Sequence, residues 1–194
     1  MRGIDATVLT LILNPNADVP VNPETKEPIA KVKVRIDFLI KTLQDAKQKI
    51  VIPTPVLAEV LVQSTPQGIS YVGVLQKASV FEIRDFDQLS AIELAFMTAA
   101  AIASGDKKAG SKEPWQKIKI DRQIVAVCKV AGVSTLYAMD RNMRSFAEGA
   151  GMRVVGIHEL PLPPEDPQLS MVLTPRELDN DGGSDTDEGD DEEI

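Results

Sequence analysis

The sequence predicts an α/β domain with a central, mainly parallel sheet flanked by helices, and three observations indicate this class. Short apolar segments alternate with longer stretches of helical periodicity, the pattern of parallel strands joined by crossover helices. Apolar residues make up 43% of the 194 residues, which is enough for a sizeable core. A single cysteine, Cys128, excludes a disulfide framework and fits a reducing compartment.

Five strands are predicted, each a short apolar run. They cover residues 2–4, 49–53, 80–84, 134–139 and 153–157. Seven helices are predicted from apolar residues spaced three and four apart. They cover residues 6–13, about 35–48, 55–63, 68–78, 89–104, 118–131 and 142–150. Pro55 suits the first turn of the third helix, and Gly132 suits the end of the sixth.

One domain is predicted over residues 1–160, with a proline-rich insertion at 14–30. A proline-containing C-terminal extension follows at 161–178. Residues 179–194 carry nine acids and no Lys or Arg, a composition that predicts a disordered acidic tail. The formal net charge of −8 lies in this tail, because residues 1–178 hold 20 acids and 21 bases. A polyanionic substrate is therefore not excluded. The tail is either a solubilising segment or a competitor for substrate or metal.

Neither a membrane span nor a signal peptide is predicted. The most apolar stretch, residues 91–103, contains Glu93 and is shorter than the roughly 20 residues that a spanning helix needs. The apolar opening segment is interrupted by Asp5 and is followed by no small-residue cleavage site. We therefore expect a cytoplasmic protein.

Two aspartates follow predicted strands directly, Asp5 after residues 2–4 and Asp140 after residues 134–139. Ligands of open parallel sheets bind at the carboxyl ends of the strands, so these two side chains are either helix N-caps or members of one site. Glu59 is the only charged residue between Lys49 and Glu82 and lies in an otherwise apolar helix. A carboxylate there is either on a solvated face or part of a site.

Four segments in order resemble the PIN-domain family of nucleases, which includes the VapC-like ribonucleases. They are IDATVL at 4–9, IPTPVLAEVL at 52–61, KIKIDRQIVAVCKVAGVSTLYAMD at 117–140 and RNMRSFAEGAGMRVVGI at 141–157. The likeness is to an opening Asp-x-x-Val-Leu, an acid in the helix after the second strand, Asp-x-x-Ile, a strand followed by Asp, and a closing Gly-x-x-Val. It covers about residues 1–160.

The resemblance implies a PIN-like three-layer fold and a metal-dependent endonuclease that hydrolyses RNA. It assigns the catalytic and metal-binding acids to Asp5, Glu59, Asp121 and Asp140, with Mg²⁺ or Mn²⁺ as the cofactor. Several carboxylates held together repel one another, and a divalent cation relieves that repulsion. The resemblance also makes the chain a candidate toxin of a toxin–antitoxin pair, with an antitoxin protein and a second copy of the chain as candidate partners.

Supporting positions follow from the same resemblance. Thr7 stands where the family has Asn, and Ala138 stands where Thr or Ser is common. Together with Asn142, Thr7 is expected to support the metal ligands, whereas Ala138 removes a hydroxyl. Arg141 and Arg144 flank the predicted site and are candidate phosphate contacts. These departures favour, as the alternative function, a weakly active or inactive PIN-type module that binds RNA or protein.

Several other residues have two interpretations. Asp85 and Asp87 are predicted as turn and N-cap residues rather than ligands. Trp115 and Tyr137 either pack or stack on bases. His158 is predicted to be structural or exposed. The polar loop at 105–117 and the residues just after it carry lysines that either track a phosphate backbone or are simply solvated.

Overall fold

The computed structural model describes residues 1–14, 16–64 and 68–164, and Met1–Pro163 form one compact unit. The extension from residue 165 onward and the whole acidic tail lie outside the described residues, so the expectations for them stay predictions. No helix in the described part of the chain is long and apolar enough to cross a membrane.

Five strands form one sheet in which every pairing is parallel. They are β1 (Arg2–Ile4), β2 (Ile50–Pro53), β3 (Phe81–Arg84), β4 (Thr135–Tyr137) and β5 (Arg153–Val155). The order across the sheet is β3-β2-β1-β4-β5. The chain thus starts at the centre, builds outward to one edge and returns to the other side of β1. The point where the direction reverses lies between β1 and β4, which is where open α/β sheets bind ligands.

Seven α-helices connect and flank the strands in the described residues. They are α1 (Ala6–Leu13), α2 (Val32–Asp45), α3 (Thr54–Gln63), α4 (Gly68–Lys77), α5 (Gln88–Ala103), α6 (Trp115–Val130) and α7 (Arg141–Gly149). A short 3-10 helix, Ile157–Glu159, follows β5. The α/β class and the parallel sheet predicted from the alternating pattern are therefore confirmed.

The core lies where the sheet meets its helices. Every residue of β2 and β4 is buried, and the central strand β1 buries Gly3 and Ile4. The side chains of α6 that face the sheet are almost completely covered, including Ile118, Ile124 and Cys128. Burial raises the pKa of the Cys128 thiol to about 12, so this cysteine packs as a small apolar residue.

Five predicted boundaries were wrong by two or more residues. Helix α2 begins at Val32 rather than near 35, because Lys31 in the left-handed region ends the preceding loop, and it ends at Asp45 rather than at 48. Helix α6 begins at Trp115 rather than 118, directly after the extended Pro114, so the predicted loop at 105–117 ends three residues earlier. The last two strands are shorter than predicted, because Ala138 already leads into the turn before α7 and the 3-10 helix takes up Ile157.

The segment 14–30 contains turns and a single antiparallel bridge between Val21 and Pro28 in its described part. Pro15 is outside the described residues. Ile29 is buried in the core, so the end of this segment is fastened to the domain.

Candidate carboxylate site at the switch point of the sheet

Asp5 and Asp140 lie at the carboxyl ends of the two strands that flank the switch point. Asp5 follows β1 directly, and Asp140 follows β4 after two residues. The two strands are neighbours with Ile4 paired to Tyr137. The sheet therefore places two carboxylates from distant parts of the sequence at one edge.

Both aspartates also cap the helices that follow them. Asp5 Oδ1 accepts a hydrogen bond from the backbone N–H of Val8 at 2.8 Å. Asp140 Oδ1 accepts from the backbone N–H groups of Asn142 at 2.7 Å and Met143 at 3.2 Å. The N-cap interpretation is thus confirmed for both. It occupies one oxygen of each carboxylate, so capping and membership of a site are compatible.

The second oxygen of Asp5 ties β1 to β4, because Oδ2 accepts from the backbone N–H of Met139 at 3.0 Å. Asp5 is only 4% exposed. With both oxygens hydrogen-bonded to backbone groups, this carboxylate has a fixed orientation. A second buried acid, Asp121, contrasts with it: Asp121 is 6% exposed, and its Oδ2 has no hydrogen-bond partner in the described part of the chain.

Glu59 and Asp121 come from two packed helices, α3 and α6. Both line an open groove of about 910 Å³. Glu59 is exposed at this groove, whereas Asp121 is set into its floor. The rest of the lining is largely apolar, with Pro55, Pro114 and Ile120 among its residues. Helix packing therefore brings a second pair of acids to one surface.

The four carboxylates influence one another electrostatically. Burial is the largest cause that raises the pKa of Asp5 from 3.8 to about 6, and the negative charges of Asp140 and Glu59 add to it, while the hydrogen bonds from Val8 and Met139 oppose it. Burial likewise raises the pKa of Asp121 to about 6, followed by the negative charge of Asp140 and, more weakly, that of Glu59. The acids named from the sequence thus repel one another across the elements that carry them.

The pKa of Asp140 shifts in the opposite direction because the ammonium group of Lys117 pairs with this carboxylate. Lys117 Nζ donates a hydrogen bond to Asp140 Oδ2 at 2.6 Å. Burial alone would raise the pKa of Asp140. The Lys117 ammonium and the N–H groups of Met143 and Asn142 outweigh burial and hold this pKa below its usual range.

Comparison with known proteins was informative only at the level of three-dimensional structure. No family model and no curated protein matches the chain. A solved structure of VapBC2 from Rickettsia felis bound to a DNA fragment from their promoter matches with a TM-score of 0.53 and 14% identity, over 80% of this chain and 97% of that one. DNA-bound VapBC from Salmonella typhimurium matches over the same shares with a TM-score of 0.48 and 19% identity.

The PIN-like fold is confirmed. The parallel sheet, its flanking helices and the match to the Rickettsia felis structure agree with the fold implied by the resemblance of the sequence. At 14% identity the match concerns the fold alone. Roles of individual residues must be argued from the geometry of this chain.

A divalent cation is the cofactor that the PIN-like fold implies, and the donor set is suited to one. Carboxylate oxygens are the ligands of Mg²⁺ and Mn²⁺, and the Oδ2 of Asp121 supplies a buried acceptor that no donor among the described residues uses. In the part of the chain that is described, no three His, Cys, Asp or Glu side chains converge tightly enough to hold one ion. Mg²⁺ needs only one or two carboxylates because it retains several waters. The residues therefore fit a largely hydrated ion.

The two predicted phosphate contacts lie on α7 and do not line the groove. Arg144 is committed to internal partners: its guanidinium donates to the Val154 carbonyl at 3.2 Å and pairs with Glu159 at 2.7 Å. Arg141 is exposed and donates to the Pro23 carbonyl at 3.2 Å. Both line a separate pocket of about 370 Å³ whose lining contains none of the four site acids. Their role in substrate binding stays a prediction.

The two supporting residues predicted from the sequence differ in what they contact. Thr7 is exposed on α1, and its side chain makes no hydrogen bond with the described residues. Asn142 supports Asp140 through its backbone N–H rather than through its side-chain amide. Any residue type except proline could provide that backbone contact.

Three of the residues with two interpretations, Asp87, Tyr137 and Trp115, have structural contacts. Asp87 caps α5, since its Oδ1 accepts from the Ser90 N–H at 2.9 Å. Tyr137 is buried within β4. The Trp115 ring is covered by Lys107, with Nζ 4.7 Å from the ring centroid, and by the buried guanidinium of Arg122 at 5.6 Å. These are packing and cation–π contacts within the fold.

Sequence reasoning missed Lys117 as a residue of the site. It was assigned to the loop at 105–117, but it lies in the first turn of α6, four residues before Asp121. A spacing of four places two residues on one face of a helix. The signal was therefore present in the sequence, but it required the helix to begin at Trp115.

Proposed function

We propose that this chain is a divalent-metal-dependent ribonuclease whose catalytic acids are Asp5, Glu59, Asp121 and Asp140. The main support is that Asp5 and Asp140 lie at the switch point of a parallel sheet, and that the negative charges of Asp140 and Glu59 act on both buried acids, Asp5 and Asp121. Buried carboxylates that repel one another lower the stability of a fold, and such groups cluster at functional sites. The unpartnered oxygen of Asp121 gives the same indication, because a buried acceptor is normally hydrogen-bonded.

Each acid has a distinct part in the proposal. Asp5 is rigid, since backbone N–H groups hold both of its oxygens, and it fixes the distance between the ends of β1 and β4. Asp121 and Asp140 each present an oxygen that makes no hydrogen bond to the backbone, and these would ligate the cation. Glu59 is exposed at the groove and is free to orient an attacking water.

The cation, when bound, would neutralise the carboxylates, stabilise charge on the phosphoryl oxygens and lower the pKa of a water. In this proposal the RNA substrate binds in the groove between α3 and α6. Its apolar wall at Pro55 and Ile120 suits the faces of nucleobases, and Asp121 in its floor suits the cation that a phosphodiester needs.

The matching Rickettsia felis structure is, by its description, a complex of VapBC2 with promoter DNA. On this basis we propose that the chain is the toxin of a toxin–antitoxin pair, with an antitoxin protein and a second copy of the chain as partners. Co-expression with the product of a neighbouring small reading frame tests this. A stable complex that suppresses RNA cleavage is expected, and failure of every neighbouring product to bind would contradict it.

Cleavage of RNA by the purified protein is the direct test of the enzyme. Wild type should cleave single-stranded RNA with Mg²⁺ or Mn²⁺ and not in EDTA. Asp140→Asn keeps an oxygen that can cap α7, so the fold should survive, while activity should fall by at least about hundredfold. Asp87→Asn is the matched control, since Asp87 is also an N-cap after a strand but lines a separate pocket that contains none of the four site acids. Its activity should stay within about twofold of wild type.

One observation favours the alternative of a module that binds RNA without cutting it. Lys117 already neutralises Asp140, which reduces the need for a metal ion at that carboxylate. Wild type that binds RNA equally well in EDTA and in Mn²⁺, with no turnover in either, would support this alternative and remove the ribonuclease proposal.

A further inference from the structure

Lys117 holds the one carboxylate oxygen of Asp140 that the fold leaves available. Oδ1 of Asp140 accepts two backbone N–H groups at the start of α7. Among the described residues, Oδ2 accepts only from Lys117 Nζ, at 2.6 Å. The side chains of both residues are partly exposed, at 42% for Lys117 and 31% for Asp140. The ion pair is therefore partly open to solvent, and it can open without unfolding the domain.

The surroundings of Lys117 favour its charged form. Asp140 is the main cause that raises its pKa, and the negative charges of Asp121 and Glu113 contribute in the same direction. Lys117 and Asp121 are four residues apart on α6 and line the same groove. A single ammonium thus serves as counter-charge to two of the four site acids.

We propose that Lys117 is a built-in competitor for the divalent cation, whose ammonium must leave Oδ2 of Asp140 before that oxygen can ligate a metal ion. This inference rests on the proposed function, because it concerns the cation of the same site. An ammonium and a metal ion at the same oxygen repel each other, and this repulsion opposes their sharing Oδ2. Metal binding therefore costs the free energy of the Lys117–Asp140 pair. Saturation of the site is therefore predicted to need a higher metal concentration than it would without Lys117.

This competition lowers the affinity of the site for the metal ion, and a single substitution should restore it. In Lys117→Gln the competitor is lost, and Mn²⁺ should bind about fivefold more tightly or better. Lys117→Arg keeps the charge and should remain within about twofold of wild type. Lys119→Gln is the control for net charge, because Lys119 lies two residues further along α6 and makes no ion pair with the described residues. It should change the affinity by less than about twofold.

Electron paramagnetic resonance measures the concentration of free Mn²⁺ in a titration of the full chain without RNA, and the affinity follows from it. The melting temperature supplies a second readout. In EDTA, Lys117→Gln should melt below wild type, because Asp140 and Asp121 lose their counter-charge. Saturating Mn²⁺ should also raise the melting temperature of Lys117→Gln by more than it raises that of wild type.

The outcomes separate the two proposals. An unchanged affinity in Lys117→Gln, or an equal gain in Lys119→Gln, overturns the competition and leaves the ribonuclease proposal standing. Tight Mn²⁺ binding with the predicted ratio but no RNA cleavage supports the competition and removes the ribonuclease. A folded wild type and Lys117→Gln that both bind no Mn²⁺ overturn both.

Discussion

Replacement of Asp121 by Asn should stabilise the metal-free protein at neutral pH while abolishing RNA cleavage. The raised pKa of Asp121, about 6 against 3.8, means that the fold disfavours its ionised form. A difference of this size corresponds to at most about 3 kcal/mol, and the unpartnered amide of the new Asn offsets part of it. We expect a gain of about 1–3 kcal/mol, or a melting temperature higher by about 2–8 °C.

The pH dependence of this gain has a definite sign. Between about pH 4 and 6 the folded protein holds more protons on Asp121 than the unfolded chain does, so this residue costs stability as the pH rises. The cost is absent below about pH 4 and complete above about pH 6. The advantage of Asp121→Asn should therefore be full at pH 7.5 and close to zero at pH 4.

Denaturant unfolding in EDTA at the two pH values measures this. Asp37→Asn is a suitable control, because Asp37 is an exposed acid on α2 in an i,i+4 pair with Lys33, and its replacement should stay within about 0.5 kcal/mol of wild type at both values. An Asp121→Asn protein that is less stable than wild type at pH 7.5 would show that the carboxylate stabilises the fold, contrary to its proposed functional role.

Metal affinity should collapse as the pH falls through 6. Asp5 and Asp121 both have a pKa raised to about 6, so each takes up a proton below that value, whereas Asp140 stays ionised. A cation bound to Asp121 and close to Asp5 favours the ionised form of both acids, so its binding displaces up to two protons. The logarithm of the Mn²⁺ association constant should then fall by up to about 2 per pH unit below pH 6 and level off above pH 7.

Titrations with Mn²⁺ between pH 5 and 8 give this profile. In the Asp121→Asn protein the logarithm of any residual Mn²⁺ association constant should fall by at most about 1 per pH unit, because Asp5 still titrates in this range and residue 121 does not. A flat wild-type profile from pH 5 to 7.5 would mean that neither raised carboxylate takes part in binding the metal.

The strand-end acids were predictable because they depend on local pattern. Short apolar runs followed by helical periodicity predict parallel strands with crossover helices, and Asp5 and Asp140 directly follow two of the predicted strands. Capping and a place at the carboxyl edge both follow from that position alone. The α/β class and the parallel sheet rest on the same reasoning and are confirmed.

The other half of the candidate site depends on packing that no local pattern encodes. Glu59 and Asp121 line one groove only because α3 packs against α6. In the sequence, the resemblance to PIN-domain nucleases paired them, and periodicity alone would have left Asp121 as an acid near a helix start. The raised pKa values of Asp5 and Asp121 come first from burial, which is a property of the assembled domain. Lys117 was missed for a smaller reason, a helix boundary misplaced by three residues.

Diffraction from crystals soaked in Mn²⁺, with anomalous differences recorded at the manganese edge, tests the central claim most directly. One peak is predicted between Asp121 and Asp140, with ligand oxygens at about 2.1–2.2 Å, Lys117 moved off Asp140, and Asp5 and Glu59 beside it. A strong peak elsewhere, or no peak at a Mn²⁺ concentration that supports cleavage, would contradict the account.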